Sequence, residues 1–205
     1  MEDVRDLKEL QLDALREVTN IGAGHAATAL SQLTARRVMI TVPRINVTRL
    51  EDVPEVVGSP GEIVAGVLMH MLGDLTGRTL LIFPEADARR LCDRLLGRPE
   101  GTTAAFGELE ASTVKETGNI VNGAYMNALS DFMGMMLLPS VPSLSVDLLG
   151  AIITTAYLNF GHDRDYVFCI ETEFQFDRDF DLRGHFILLP DLASLRAIFD
   201  AIRLV

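Results

Sequence analysis

Two long stretches of the chain place apolar residues at the spacing of an α-helix. In the first, Leu15, Val18, Gly22, Ala26, Ala29 and Leu33 share one side at 3.6 residues per turn. In the second, Val114, Thr117, Val121, Tyr125, Ala128 and Phe132 fall at the same phases. Each stripe predicts the core-facing side of a long helix. A strand is expected after a proline in each half, at Ile45–Leu50 and Leu144–Leu149, followed by a short helix or loop. Two β-rich runs come next, Glu62–Met71 with Arg78–Phe83 and Tyr166–Phe176 with His185–Leu189. Pro84-Glu85 and Pro190-Asp191 then open a closing helix, since a proline and an acid both suit a helix N-terminus. The expected fold is α+β, with about six mostly antiparallel strands and helices at the ends or on one face.

The order of elements repeats because the sequence does. Shifted by 99 positions, EVTNIGAGHAATALSQL at 17–33 falls on ETGNIVNGAYMNALSDF at 116–132. Val42-Pro43 meets Val141-Pro142 in the same register. With an insertion of seven residues, LLIFPEADARRL at 80–91 aligns with FILLPDLASLRA at 186–197. The chain therefore reads as one domain of two pseudo-twofold repeats, about 1–100 and 101–205, joined near the turn-rich GRPEGTT.

Opposite each apolar stripe runs a polar one. Asp13, Glu17, Asn20 and Gly24 follow at steps of four, three and four, and Ser112, Glu116, Asn119 and Gly123 repeat that spacing. Both copies thus turn a Glu and an Asn to solvent one turn apart. An exposed polar pair of this kind suits a protein substrate better than a small metabolite. A lone Glu/Asn pair on a helix is ordinarily solvated surface, but here it occurs twice in register on the side that is freer to vary. The glycines fit close approach by another backbone, with helix bending as the alternative, because glycine costs a helix about 0.5–1 kcal/mol relative to alanine. Pro43 and Pro142 are expected to end a turn and start a strand. Gly22-Ala23-Gly24-His25-Ala26-Ala27 has the spacing of a weak dinucleotide fingerprint. That reading needs a preceding strand, and LKELQLDALREVTN is helical instead.

Composition narrows the partners. The 205 residues are 48% hydrophobic and 23% charged, with a formal net charge of −11. So acidic a surface repels phosphate backbones and anionic membranes, so neither nucleic acid nor membrane is expected as a partner. Cys92 and Cys169 lie far apart and read as buried reduced thiols, and His25, His70, His162 and His185 are scattered, so no metal site is expected. The amphipathic start MEDVRDLKEL is no signal peptide, and no apolar run approaches the roughly 18 residues of a bilayer span, so a cytoplasmic protein is expected.

At the doubled stripe the chain resembles the CheC/CheX/FliY family of bacterial chemotaxis phosphatases. The family signature is Asp or Ser, three residues, Glu, two residues, Asn, twenty-two residues, Pro. It is met at Asp13, Glu17, Asn20 and Pro43, and again at Ser112, Glu116, Asn119 and Pro142. A doubled motif with no room for further segments resembles the CheC branch, since CheX-like chains carry one motif and FliY-like chains carry extra segments. The resemblance implies hydrolysis of the aspartyl phosphate of the response regulator CheY. Mg²⁺ would sit on the receiver-domain substrate, and no cofactor of the chain's own is implied. Asn20 and Asn119 would orient the attacking water, Glu17 and Glu116 would pair with the receiver's lysine, and Asp13 and Ser112 would support the edge of the contact. The receptor deamidase CheD is implied as a second partner, and a monomer is expected. The alternative is a non-catalytic adaptor that mainly binds CheD or a flagellar-switch component.

Overall fold

The computed structural model describes residues 9–49, 52–158, 166–176 and 180–203. The elements run α1 (Glu9–Thr34), β1 (Val38–Arg49), α2 (Val53–Val57), β2 (Ile63–Gly73), β3 (Gly77–Pro84), α3 (Glu85–Leu95), α4 (Glu108–Met133), β4 (Leu137–Pro139), β5 (Ser143–Leu148), α5 (Leu149–Leu158), β6 (Tyr166–Phe176), β7 (Phe180–Pro190) and α6 (Leu192–Arg203). The strands form one sheet in the order β1-β6-β7-β3-β2, with β4 and β5 both lying against the free side of β2. Every pairing is antiparallel.

Side-chain alternation along the strands divides the interior in two. Ala65, Val67, Met69, Leu81, Phe83, Phe168, Ile170, Phe186 and Leu188 face the long helices α1 and α4 together with α3 and α6. Val64, Leu80, Ile82, Val167, Cys169, Ile187 and Leu189 face the smaller α2 and α5. The α+β class, the antiparallel sheet and the two long helices agree with the sequence pattern.

The differences have local causes. The strand expected at Ile45–Leu50 begins earlier, at Val38, and Pro43 lies inside it, where the pairing register shifts between Thr41 and Arg44. Proline has no N–H to give a ladder, so it falls where pairing is interrupted. Leu50 lies outside the described residues. In the second half the corresponding strand breaks into β4 and β5, with Pro142 just ahead of Ser143 as expected; the break makes seven strands of about six. Leu149 opens α5 rather than ending a strand. Leu33, expected in the core, is 59% exposed. The buried phase of α1 drifts toward Ala23, Ala27 and Leu30 near its end, and Ser31 turns to β1, where its Oγ accepts from Val38 N at 2.9 Å.

The duplication also needs a corrected register. Leu80 pairs with Ile187, 107 positions later, at the centre of the β3–β7 ladder. Both face α2 and α5, and one step further on Leu81 and Leu188 both face α1 and α4. The starts of α3 and α6 are also 107 apart. The alignment of Leu80 with Phe186 is therefore one residue out, because Phe186 faces the opposite side of the sheet. A one-residue slip inverts every side chain in a strand, and the insertion is eight residues rather than seven.

Between the two halves, buried Asp93 fixes the approach to α4. Its carboxylate accepts from Gly101 N (2.8 Å), Thr102 N (3.1 Å), Thr103 N (2.9 Å) and Thr103 Oγ1 (2.7 Å). Arg98 then bonds Glu110 at 2.6 Å, and the other oxygen of Glu110 accepts from Gly107 N at 3.0 Å, capping the first turn of α4.

Candidate functional site on the two long helices

α1 and α4 lie against each other and against the sheet, and glycines set how closely. A Cβ on Gly22 would stand 2.8 Å from Tyr125 Cδ1 and 3.0 Å from Tyr125 Cα. One on Gly118 would stand 2.5 Å from Val67 Cγ1. Tyr125 stacks on Phe186 with ring centroids 4.6 Å apart, and its hydroxyl lies 3.5 Å from Thr172 Oγ1. Burial pushes the Tyr125 phenol up to about 12, so it stays a neutral core group. The buried backs of the two helices are thus rigidly held.

Their outer sides carry the polar stripes. Asp13, Glu17, Asn20 and Gly24 are all exposed on α1. Ser112 and Glu116 are exposed on α4, whereas Asn119 and Gly123 are half-buried, so the second stripe is the more recessed. Asp13 pairs with Arg16 at 2.9 Å on the open surface. Among the described residues, the side chains of Glu17, Asn20, Glu116 and Asn119 make no hydrogen bond or ion pair. A Cβ at Gly24 or Gly123 would meet nothing within 4 Å, so nothing in the fold requires glycine there. Pro43 lies within β1 and Pro142 just ahead of β5, so neither is part of the helices that carry the stripes.

The apolar recess beneath α1, lined by Leu15, Thr19, Ile45, Leu129, Phe168 and Ile198, contains no residue of the polar stripes. Cys92 and Cys169 are free and buried, and burial pushes each thiol up to about 12. Among the described residues, no three His, Cys, Asp or Glu side chains gather as a metal-ligand set. Asn122 was missed by the sequence reading. It is 2% exposed on the inner side of α4, and its signal was an amide lying beside Val121 of the apolar stripe.

The arrangement defines a class first: an internally duplicated α+β protein that presents one Glu/Asn stripe on each of two packed helices. The chain belongs to the CheC-like family, whose model matches residues 10–47 and 109–146, the segments that hold the two stripes. The chain is 34% identical over 199 residues to the CheY-P phosphatase CheC of Bacillus subtilis (strain 168), covering 96% of this chain and 95% of that protein. It is 30% identical over 129 residues to the flagellar motor switch phosphatase FliY of the same organism, covering 62% of this chain and 33% of that longer protein. In fold it is similar to the crystal structure of Thermotoga maritima FliY, with a TM-score of 0.79 at 21% identity over 97% of this chain and 98% of that one.

Proposed function

We propose that the chain is a phosphatase of phosphorylated CheY, and that each long helix offers one site for the receiver. The observation that carries this reading is the pair of outer Glu/Asn stripes, whose Glu17, Asn20, Glu116 and Asn119 side chains have no partner among the described residues, on helices whose backs are locked by Gly22, Gly118 and Tyr125. Similarity to the Bacillus subtilis CheC over nearly both whole chains supports the substrate.

An aspartyl phosphate bound in a receiver with its own Mg²⁺ and lysine already has its phosphoryl charge largely stabilised. The missing element is a water held in line with the phosphorus. A carboxamide on a rigid helix supplies that by positioning alone, with no proton to give or take. Asn20 and Asn119 take this role. Glu17 and Glu116, one turn earlier, pair with the receiver lysine and set the docking register, with Asp13 and Ser112 at the rim. The open Gly24 and Gly123 let the receiver backbone come close.

The two roles separate kinetically. The Glu17→Gln/Glu116→Gln variant is expected to raise KM for phosphorylated CheY about tenfold with kcat within twofold. A fall in kcat at constant KM would move the glutamates from docking into the chemical step. CheD enters as a second partner on the strength of the doubled family motif. Co-elution of CheD with the wild-type chain tests this, and separate elution removes CheD from the account. One chain carrying both repeats is expected to run as a 22.5 kDa monomer in light scattering.

A further inference from the structure

Asn122 lies on α4 three residues after Asn119 and is 2% exposed. Its Nδ2 donates to the thioether sulfur of Met69 at 2.8 Å, a weak acceptor, and its Oδ1 is buried without a partner. Exchanging the amide O and N leaves the same difficulty, because one polar atom would still face only sulfur and the other nothing. A buried amide so poorly served is unfavourable, and the fold does not demand it: α1 carries Ala23 at the matching position, 99 residues earlier.

Side chains on a helix lean back over the preceding turn, so Asn122 reaches toward Gly118 and Asn119. Val67 fills the space over Gly118, and Asn119 beside it is half-buried with no side-chain hydrogen bond among the described residues. Residues three apart on a helix are within reach of each other. We infer that Asn122 is a positioning residue of the second site: its buried Oδ1, without a partner in the free chain, takes a hydrogen bond from Asn119 Nδ2 when CheY docks and so turns Asn119 Oδ1 outward. The inference rests on the phosphatase reading above. An oxygen facing out accepts a proton of the attacking water and leaves a lone pair of that water for phosphorus, whereas a carboxamide turned the other way offers a donor and misorients it. Asn20, with Ala23 in the corresponding place, lacks this support. The α4 site therefore has the higher kcat.

The test isolates the α4 site in the Asn20→Ala variant and adds Asn122→Leu, which keeps volume and removes the acceptor. With phosphorylated CheY, kcat is expected to fall about tenfold while KM stays within twofold and the melting temperature does not drop. Asn122→Ala gives the same split should leucine not be accommodated. In an amide NMR spectrum with beryllofluoride-activated CheY bound, the side-chain NH₂ signals of Asn119 shift when Asn122 is replaced. An unchanged kcat, or a rise in KM alone, overturns the inference and leaves the phosphatase reading standing. An Asn20→Ala protein with no activity at all removes α4 as a site, and the inference with it.

Discussion

A side chain added at Gly22 or Gly118 would run into Tyr125 or Val67, whereas one added at Gly24 or Gly123 would enter open space. Opposite stability effects follow from residues of the same type on the same helices. Gly118→Ala is expected to lower stability by about 1–3 kcal/mol, since Val67 cannot withdraw without disturbing the sheet. Gly24→Ala is expected to raise it by about 0.5–1 kcal/mol through helix propensity, while weakening the approach of CheY. Urea unfolding reads both, and a destabilised Gly24→Ala would mean that the fold itself uses this glycine. The thiols give a second residue-scale expectation. With Cys92 and Cys169 each buried and held near 12, an aromatic disulfide reagent should react slowly at pH 8 in the native protein and with two equivalents in urea. At this scale helical phase alone gave the exposed stripe of α1, but not that Asn119 and Gly123 of α4 are half-buried. The two glycine classes were not readable, because Gly22 and Gly24 are two positions apart in sequence and only the packing of α4 separates their roles.

Among the elements, α4 depends on what precedes it. Burial pushes the Asp93 carboxyl up, but the Thr103 hydroxyl and the N–H groups of Thr103, Gly101 and Thr102 outweigh this and hold it below the usual carboxylate range. A depressed value contributes stability above the unfolded value near 4, and that contribution is lost as pH falls through the folded value. Asp93→Ala should therefore cost about 3 kcal/mol at neutral pH by orphaning these donors, and its deficit against wild type should shrink below about pH 4. A deficit independent of pH would show that the carboxylate charge is not what holds the linker. The sequence placed the helices well, because apolar residues at 3.6 spacing are hard to mistake. It placed the strand after each proline less well. Pro43 is accommodated within a continuous β1 by a shift in pairing, while Pro142 leaves β4 and β5 separate, and proline alone does not say which.

For the whole molecule, the duplication seen in sequence becomes a pseudo-twofold relation centred on the Leu80–Ile187 pair, with α1 and α4 side by side on one side of the sheet. The slip between the sequence alignment and this pair arose because leucine, isoleucine and phenylalanine serve either face of a sheet buried on both. Only pairing reveals which face each occupies. The two stripes are related in the same way, but they differ in exposure and in what lies beneath them, Ala23 in one helix and Asn122 in the other. The phosphatase proposed above therefore carries two unequal sites on one rigid scaffold. The most direct measurement of this is the decay of phosphorylated CheY with wild type, Asn20→Ala, Asn119→Ala and the double variant. Each single variant should retain part of the acceleration, Asn119→Ala less than Asn20→Ala, and the double variant should leave CheY to decay at its own rate. A double variant that accelerates decay as wild type does would contradict the account.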